Sequence, residues 1–325
     1  MSVWQISPPG PVANSVAEFF IRYGVALLWP GDSGPWSPER FKHDFALGDW
    51  VGWFAQTMTD GDAILLRTGP SRIRAVGLVA GEYSYEDRFD DVHGFDLQHC
   101  RRVRWCRLSE GYDFGGSVFT QGRFSRVRAE EVCRFVGDFL NSPPSHWQTA
   151  PLPELPPEAP PLEDIPAPLQ GLVAAANDLL ALFPDARAFG EPPSEDELIT
   201  HFVVPFLRAL GWPPERIAVK WHCVDVAVFW DLPRTPENCH LVIEAKRLGA
   251  GVERALEQAK GYVEALGAPR DVIVTDGIRY RMYSCVPAAA GPAEEGQSYF
   301  NPIAYANLGR LKKSASELFA RMKRP

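Results

Sequence analysis

The sequence predicts two domains in an overall α+β or α/β class: a small β-barrel, followed by a domain that alternates helices and strands. Three observations support this. The chain has 325 residues, enough for two hydrophobic cores. Proline is dense and apolar periodicity stops over residues 143–168, which predicts a stiff linker. The patterns differ on its two sides, so the domains are predicted at residues 1–142 and 169–325.

Short apolar segments separated by glycine dominate the first domain. A predicted helix over residues 13–24 is followed by strand-like segments such as GVALLW (24–29) and IRAVGLVAGEYSY (73–85). Frequent glycines between short strands are typical of small, curved sheets. We therefore predict a β-barrel for residues 1–142.

The second domain begins with helical periodicity and continues with strands. Apolar spacing predicts helices over residues 169–183 and 194–211, the latter with Ser194 as N-cap and Gly211 as its stop. A strand, a second strand, a helix and a strand pair are then predicted at residues 216–230, 240–248, 251–267 and 270–285. The predicted order is α-β-β-α-β-β.

Composition favours a cytoplasmic protein with no membrane contact. The hydrophobic fraction is 46%, and no apolar stretch approaches the roughly 20 residues of a membrane span. The N-terminus, MSVWQISPPG, lacks the layout of a signal peptide.

The six cysteines have no framework spacing and are expected to be free thiols. His222-Cys223 and Cys239-His240 suggest a zinc set, but strand alternation favours ordinary buried cysteines.

The net charge of -8 does not exclude a nucleic-acid partner. Residues 151–190 contain 1 Lys or Arg against 6 Asp or Glu, whereas residues 191–325 contain 17 of each kind. Much of the acidic excess therefore lies around the linker. Local basic patches, which set the affinity for phosphate, remain compatible with this composition.

Two charged residues interrupt an apolar strand in the second domain. HLVIEAKRLG (240–249) carries Glu244 and Lys246, and residues two apart on a strand share a face. Asp225 lies in the preceding strand, and the intervening segment (230–239) is typical of a hairpin turn that would bring Asp225 beside Glu244. We predict that Asp225 and Glu244 hold Mg²⁺, with Mn²⁺ as a substitute, and that Lys246 positions or deprotonates water. The alternative is a structural ion pair at a strand end.

Asp225 and the triplet Glu244-Ala245-Lys246 resemble the D…(D/E)xK signature of the PD-(D/E)xK nuclease superfamily. Val224 stands where that family usually has proline. The resemblance covers about residues 190–285 and implies a restriction-endonuclease-like core of order α-β-β-β-α-β. It also implies that Asp225, Glu244 and Lys246 are catalytic in phosphodiester hydrolysis.

Two further matches extend this resemblance. Gln258 and Tyr262 lie four residues apart on the predicted helix, like the glutamine and aromatic residue that follow the lysine in nuclease domains of restriction enzymes. Residues 194–212 resemble the first helix of that core, which often supplies a glutamate near the metal. Its register points to Glu195, with Glu197 as the competing choice. For both Glu195 and Gln258, an ordinary solvated helix position is the alternative.

The first domain resembles the EVE branch of the PUA-like fold. The resemblance rests on GDAILLRTG (61–69), IRAVGLVAGEYSY and the late strand CRRVRWCRL (100–108), and it spans roughly residues 2–110. It implies a pocket in which a modified base, flipped out of the duplex, is held between aromatic walls.

Aromatic rings and a few polar groups would be needed to hold such a base. The candidate base-binding residues are Trp29, Trp36, Tyr83, Phe89 and Trp105 as walls, with Asp91 and His93 as polar readers. Core packing is the alternative for each aromatic residue, and a solvated loop for His93. The flanks SGPWSP (33–38) favour an exposed loop at Trp36.

These observations predict a modification-dependent, type IV-like restriction endonuclease of phage defence. It would sense a modified base, such as modified cytosine in duplex DNA, and cleave with Mg²⁺. One alternative is a defence nuclease switched on by a nucleotide signal; another is a non-catalytic reader of modified nucleic acid. Each chain has one predicted active site, whereas a DNA duplex has two antiparallel strands, and we therefore predict a homodimer. The basic residues of the C-terminal helix are equally consistent with phosphate contact and with a solvated tail.

Overall fold

The computed structural model describes residues 1–9, 13–31, 34–38, 50–120, 122–144, 147–183, 193–250, 252, 255–266, 271–286 and 299–324. The chain divides into two compact units, Met1–Glu158 and Ala159–Pro325. Each unit contains a six-stranded sheet and helices, so the protein has a two-unit α+β architecture. The division falls inside the proline-rich segment at residues 143–168.

The first unit is built around one mixed sheet. Its elements are β1 Val3–Ile6, α1 Ala13–Tyr23, β2 Val25–Leu28, a π-helical turn Trp53–Thr57, β3 Ala63–Arg67, β4 Arg72–Tyr85, a 3-10 turn Asp87–Phe89, β5 His99–Asp113, β6 Phe124–Arg126 and α2 Glu130–Asn141. The strand order is β2-β5-β4-β3-β1-β6. β1 and β3 are parallel, and the other neighbours are antiparallel.

Alternation along the strands gives this sheet two apolar faces. On one face, Trp4 of β1 packs in a core with Phe20 of α1. On the other, Val3 packs in a core with Val132 of α2. The β4–β5 pairing has register shifts after Ile73 and Val79, and bulges of this kind bend and twist a sheet. β2 and β6 are the two ends of the described sheet, so closure into a barrel stays a prediction.

Gly77 marks the tightest approach between β4 and β5. A Cβ added at Gly77 would lie 2.4 Å from Val103 Cγ1 and 2.7 Å from Trp105 Cε3, both in the sheet's interior. Gly77→Ala is therefore expected to lower the free energy of unfolding by about 1–3 kcal/mol through overpacking. Gly137 of α2 has no atom within 4 Å of its added Cβ, so Gly137→Ala should be neutral or slightly stabilising. Thermal melts of both variants test this; equal effects would contradict it.

The proline-rich segment lies against the first unit over residues 150–156. Backbone carbonyls of this segment accept hydrogen bonds from Arg88 (to Pro156 O, 3.0 Å), Arg104 (to Ala150 O, 3.1 Å) and Arg102 (to Pro153 O). Leu155 packs against the unit's core. This part of the segment is thus attached to the first unit, although it has no apolar periodicity.

The second unit has a sheet in which one parallel pair interrupts an otherwise antiparallel arrangement. Its elements are α3 Ala167–Leu182, α4 Glu195–Leu198, a π-helical turn Ile199–Val203, α5 Val204–Ala209, a 3-10 turn Pro214–Arg216, β7 Ile217–Trp221, β8 Val224–Phe229, β9 Cys239–Ala245, α6 Ala255–Ala265, β10 Asp271–Thr275, β11 Arg279–Val286, β12 Tyr299–Asn307 and α7 Ala315–Met322. The strand order is β12-β11-β10-β9-β8-β7. Only β9 and β10 are parallel, and α6 connects them.

The strand predicted over residues 216–230 is in fact two strands. β7 and β8 are antiparallel partners that reverse direction at His222, which has a φ of +53°. The order before α6 is therefore β-β-β, one strand more than the residue pattern predicted. The continuous apolar run conceals the turn, because it contains no glycine, proline or asparagine at the point of reversal.

Helices cover both faces of the second sheet. Ser194 caps α4 by accepting from Glu197 N, and the Glu197 side chain accepts from Ser194 N in return. The predicted helix 194–211 is present but contains the π-helical turn. Trp212, which follows it, is buried and donates to Met322 O of α7.

None of the helices in the described parts of the chain is long and apolar enough to cross a membrane.

Candidate active site

The β8–β9 hairpin brings Asp225 beside Glu244. Val226 pairs with Ile243, which places the residues one step beyond them opposite each other. This is the arrangement that the hairpin segment predicted. Asp225 Oδ2 accepts a hydrogen bond from Ala245 N at 2.9 Å, so the carboxylate is held against the end of β9. Its side chain is 11% exposed.

Lys246 completes a compact cluster just beyond β9. Its Nζ lies 2.8 Å from Glu244 Oε1 and donates to Gln258 Oε1 at 3.1 Å. Gln258 in turn donates from Nε2 to the Tyr262 hydroxyl, one turn further along α6. The backbone N of Lys246 donates to Thr275 O at the end of β10, which fixes the point where the chain leaves the sheet. Strand β9, helix α6 and strand β10 therefore position the lysine together.

Glu244 is buried and has one oxygen without a hydrogen-bond partner among the described residues. Only 1% of its surface is exposed, and Oε2 is the unpaired atom. Burial raises the pKa of Glu244 from 4.5 to about 7, and the neighbouring Asp225 carboxylate raises this pKa further, while Lys246 opposes the increase. The unpaired oxygen of Glu244, beside a second carboxylate, is therefore a position at which a further cation would be stabilised.

The donor set fits a divalent cation that keeps part of its water. The described residues contain no group of three or more His, Cys, Asp or Glu side chains that could hold a metal ion. Asp225 and Glu244 nevertheless supply two carboxylates that lie together, and Mg²⁺ is commonly bound by one or two carboxylates with water in the other positions. The unpaired Oε2 of Glu244 supports this fit.

Two residues of the cluster were not predicted from the sequence. Lys220 Nζ lies 2.7 Å from Asp225 Oδ1 and 3.0 Å from Asp196 Oδ1. The hydrogen bond to Asp225 is the main cause that raises the pKa of Lys220, so its ammonium group stays charged. Lys220 precedes Asp225 by five residues, and the sequence pattern predicts one unbroken strand containing both. In such a strand the two side chains would not meet, so their contact could not be predicted.

The helix acid that reaches this cluster is Asp196. Within the described residues, Glu195 makes no side-chain hydrogen bond or ion pair with Asp225, Glu244 or Lys246. Glu197 is engaged in the capping box with Ser194. The helix register predicted Glu195 or Glu197 near the site. The structure instead links the acid between them, Asp196, to Asp225 through Lys220.

In the first unit, one of the seven predicted base-binding residues, Phe89, belongs to the core, and the other four aromatic residues are partly buried and pack against it, namely Trp29, Trp36, Tyr83 and Trp105. Phe89 is completely buried. Trp105 packs against the same core and donates from Nε1 to Val25 O at 2.8 Å. These contacts make both rings part of the packing of the sheet, the alternative that the sequence left open.

Trp36 and Tyr83 line one cleft of about 510 Å³. The backbone N of Trp36 donates to the Tyr83 hydroxyl at 3.0 Å, and this hydroxyl lies 2.8 Å from His99 Nδ1. Pro30 O can only accept, so His99 Nε2, 3.0 Å away, is the donor nitrogen of a neutral His99, and Nδ1 accepts a hydrogen bond from the Tyr83 hydroxyl. The buried Arg101 also lines the cleft, and it donates to the carbonyls of four residues, which are Phe54, Ala55, Met58 and Gly81.

Asp91 and His93 lie in a different cavity. They line it with Phe19 and Tyr23 of α1, and none of the residues lining the Trp36 cleft is among them. Asp91 Oδ1 accepts from Gly94 N at 3.1 Å, which makes it part of a local turn. Trp29 packs edge-on against Trp50 and lies under the Arg123 guanidinium. Of the predicted set, the structure therefore brings Trp36 and Tyr83 together in one cleft, and Asp91 and His93 together in another.

Comparisons with known proteins give a partial match to a family model and similarity to solved structures. A family model described as a domain of unknown function, DUF8426, matches residues 40–121, which is less than half of the chain. Among solved structures, the chain is similar to a fragment of a protein assigned as the HsdR subunit of a type I restriction enzyme from Vibrio vulnificus, with 20% sequence identity and a TM-score of 0.23. That similarity covers 40% of this chain and 25% of the other. At this TM-score it supports no conclusion about fold or activity. No curated protein matches the chain.

Proposed function

We propose that the protein is a nuclease that depends on a divalent cation and acts on DNA. The observation that carries this proposal is the convergence of Asp225, Glu244 and Lys246 at the end of β9. A structural ion pair would need only one carboxylate beside Lys246. Here Asp225 adjoins Glu244 in a buried position, and burial together with this second carboxylate raises the pKa of Glu244 even though Lys246 and Lys220 contact the two carboxylates. Oε2 of Glu244 has no partner among the described residues, which leaves a position for a cation.

Asp225 and Glu244 are the residues that would hold Mg²⁺ or Mn²⁺. The ion would neutralise charge on the scissile phosphate and activate water for attack. Lys246 uses two of its three N–H groups on Glu244 and Gln258, so within the described residues the third is left for water or a phosphate oxygen. Gln258, held by Tyr262, fixes the direction of that group.

The first unit is proposed to select the substrate through the cleft at Trp36 and Tyr83. An exposed cleft with two aromatic walls and a buried guanidinium suits a planar base. If this cleft binds a modified base flipped out of the duplex, the enzyme is a modification-dependent restriction endonuclease. The same chemistry suits a free nucleotide signal, which is the competing function.

Cleavage of matched plasmids tests both proposals. The substrates are unmodified DNA and DNA with methylated, hydroxymethylated or glucosylated cytosine, each with Mg²⁺ and with EDTA. Cleavage of one modified substrate, abolished by EDTA, is the expected result. Cleavage of all substrates alike would remove the modification dependence, and cleavage that appears only after addition of an oligonucleotide would favour the signalling function.

Trp36→Ala is expected to abolish discrimination between modified and unmodified duplexes and to lower the melting temperature less than truncation of a completely buried ring. Trp36 is half-buried beside Gly52 and packs against the core, whereas Phe89 is completely buried within it. Phe89→Ala is the control, because Phe89 does not line the cleft, and it should cost about 3–5 kcal/mol of stability. Binding assays and melts on both variants separate the roles. Normal discrimination by Trp36→Ala would remove this cleft from the proposal.

Cutting both strands of a duplex is proposed to require a homodimer, because the described part of each chain offers one such cluster. Sedimentation of the protein on DNA, combined with analysis of nicked and linear products, tests this. A monomer on DNA that makes concerted double-strand cuts would contradict the proposal.

A further inference from the structure

Lys220 forms a bridge between the candidate metal ligand Asp225 and a helix acid. Its Nζ lies 2.7 Å from Asp225 Oδ1 and 3.0 Å from Asp196 Oδ1. The three side chains differ in exposure: 11% for Asp225, 52% for Lys220 and 76% for Asp196. The lysine therefore connects a nearly buried carboxylate to one that is largely in solvent.

The backbone holds Lys220 in an unusual conformation for this contact. Its φ is +52°, a left-handed value that costs a non-glycine residue roughly 1 kcal/mol or more. On either side of it, Val219 pairs with Val226 and Trp221 with Val224, so Lys220 lies opposite Asp225. The β7–β8 hairpin thus directs this side chain to the carboxylate across the pair.

The contact occupies an oxygen of Asp225 that a cation could use. Oδ2 already accepts from Ala245 N, which fixes the carboxylate against β9. Oδ1 is the oxygen that Lys220 contacts. A divalent cation shared by Asp225 and Glu244 would compete with the Lys220 ammonium for the charge of this carboxylate, because the two cations repel each other.

We propose that Lys220 is a displaceable internal cation: it neutralises Asp225 until a divalent cation binds, and it then stays on Asp196. This rests on the proposed metal site at Asp225 and Glu244. Asp196 is within reach of the same ammonium group, so displacement needs only the loss of one of two existing contacts. Lys220 is a positioning residue that sets the cation affinity and the occupancy of the site.

The competing explanation is simple electrostatics, in which each charge near the site shifts cation affinity independently. The two explanations differ in coupling. If Asp196 acts by receiving Lys220, removing its charge matters only while Lys220 is present. If it acts directly on the cation, the effect of its removal is the same with or without Lys220.

Titration calorimetry with Mn²⁺, in the absence of DNA, measures this coupling in the full-length protein. Lys220→Met should bind Mn²⁺ about tenfold more tightly, the factor expected for losing a charge-assisted competitor at a half-exposed site. Asp196→Asn should weaken binding several-fold in the wild-type background and leave it nearly unchanged in Lys220→Met. Lys220→Arg, which keeps the charge, should bind like the wild type.

Arg216→Met is the matched control, because Arg216 precedes β7 and pairs with the exposed Asp231. It should leave Mn²⁺ affinity unchanged. An unchanged or weakened affinity in Lys220→Met, or an Asp196→Asn effect of equal size in both backgrounds, overturns the inference and leaves the metal site intact. Absence of Mn²⁺ binding by the wild type, or full binding by Asp225→Asn, overturns the metal site itself and with it the competition.

Discussion

Glu244→Gln is expected to reduce cation-dependent cleavage by about 10²–10³-fold while raising the stability of the protein near pH 8. The amide keeps the shape of the side chain but removes the charge that would hold the cation. The same change also removes a buried negative charge that lies beside Asp225. Opposite effects on activity and stability are typical of a residue retained for function.

Plasmid cleavage and thermal melts at pH 8 measure the two effects. Asp225→Asn should lose cleavage similarly, and both variants should still bind DNA. Glu264→Gln is the matched control, since Glu264 is exposed on α6, and neither readout should change. If Glu244 and Lys246 were only a structural pair, Glu244→Gln would lower stability and leave cleavage intact, which is the result that would contradict the active site.

The central part of this site could be predicted from sequence because it depends on local geometry. The two-residue period of a strand places Glu244 and Lys246 on one face, and a hairpin of ordinary length places Asp225 opposite. The helical period likewise puts Gln258 and Tyr262 together, and the structure adds that Gln258 contacts Lys246. Each of these relations involves neighbouring elements joined by a short connection.

Lys220 and Asp196 could not be predicted in the same way. Their meeting depends on a reversal at His222 within an apolar run, where residues with positive φ are neither glycine nor asparagine. A pattern of hydrophobicity carries no signal for such a turn. A prediction that misses this turn places Lys220 in the same strand as Asp225, whereas in the structure the two residues lie opposite each other in the β7–β8 pair.

The aromatic set of the first unit shows a different limit. Composition identifies flat apolar rings but not which side of a sheet they face. Phe89 is buried in the core and Trp105 packs against it, while Trp36 and Tyr83 pack against the same core and also line a cleft. For Tyr83 of β4 and Trp105 of β5, separating these roles requires the register of the two strands, which the two bulges shift in a way that alternation alone does not reveal.

The proline-rich segment illustrates attachment by polar groups instead of apolar ones. Its carbonyls accept from Arg88, Arg102 and Arg104, so the contacts depend on donors that lie far away in sequence. Part of this segment therefore belongs with the first unit, and Glu158 is a better end for an isolated first unit than residue 142.

The pH dependence of stability should follow the ionisation of Glu244. Its pKa is about 7 in the folded protein, against 4.5 for an ordinary glutamate. Below pH 4.5 the group is protonated in both states and costs nothing. Between pH 4.5 and about 7 only the unfolded chain releases the proton, so stability falls by about 3 kcal/mol across this window and then stays level.

A divalent cation should reverse this loss, because it binds the ionised carboxylates of the folded state. At pH 8, saturating Ca²⁺ is expected to raise the melting temperature of the second unit by about 5–10 °C, whereas at pH 5 the rise should be small. Glu244→Gln should show neither the fall in stability between pH 4.5 and 7 nor the Ca²⁺ effect at pH 8. Melts at matched ionic strength, with NaCl replacing CaCl₂, separate specific binding from charge screening. An equal Ca²⁺ effect at both pH values, or its persistence in Glu244→Gln, would show that the ion binds away from Asp225 and Glu244.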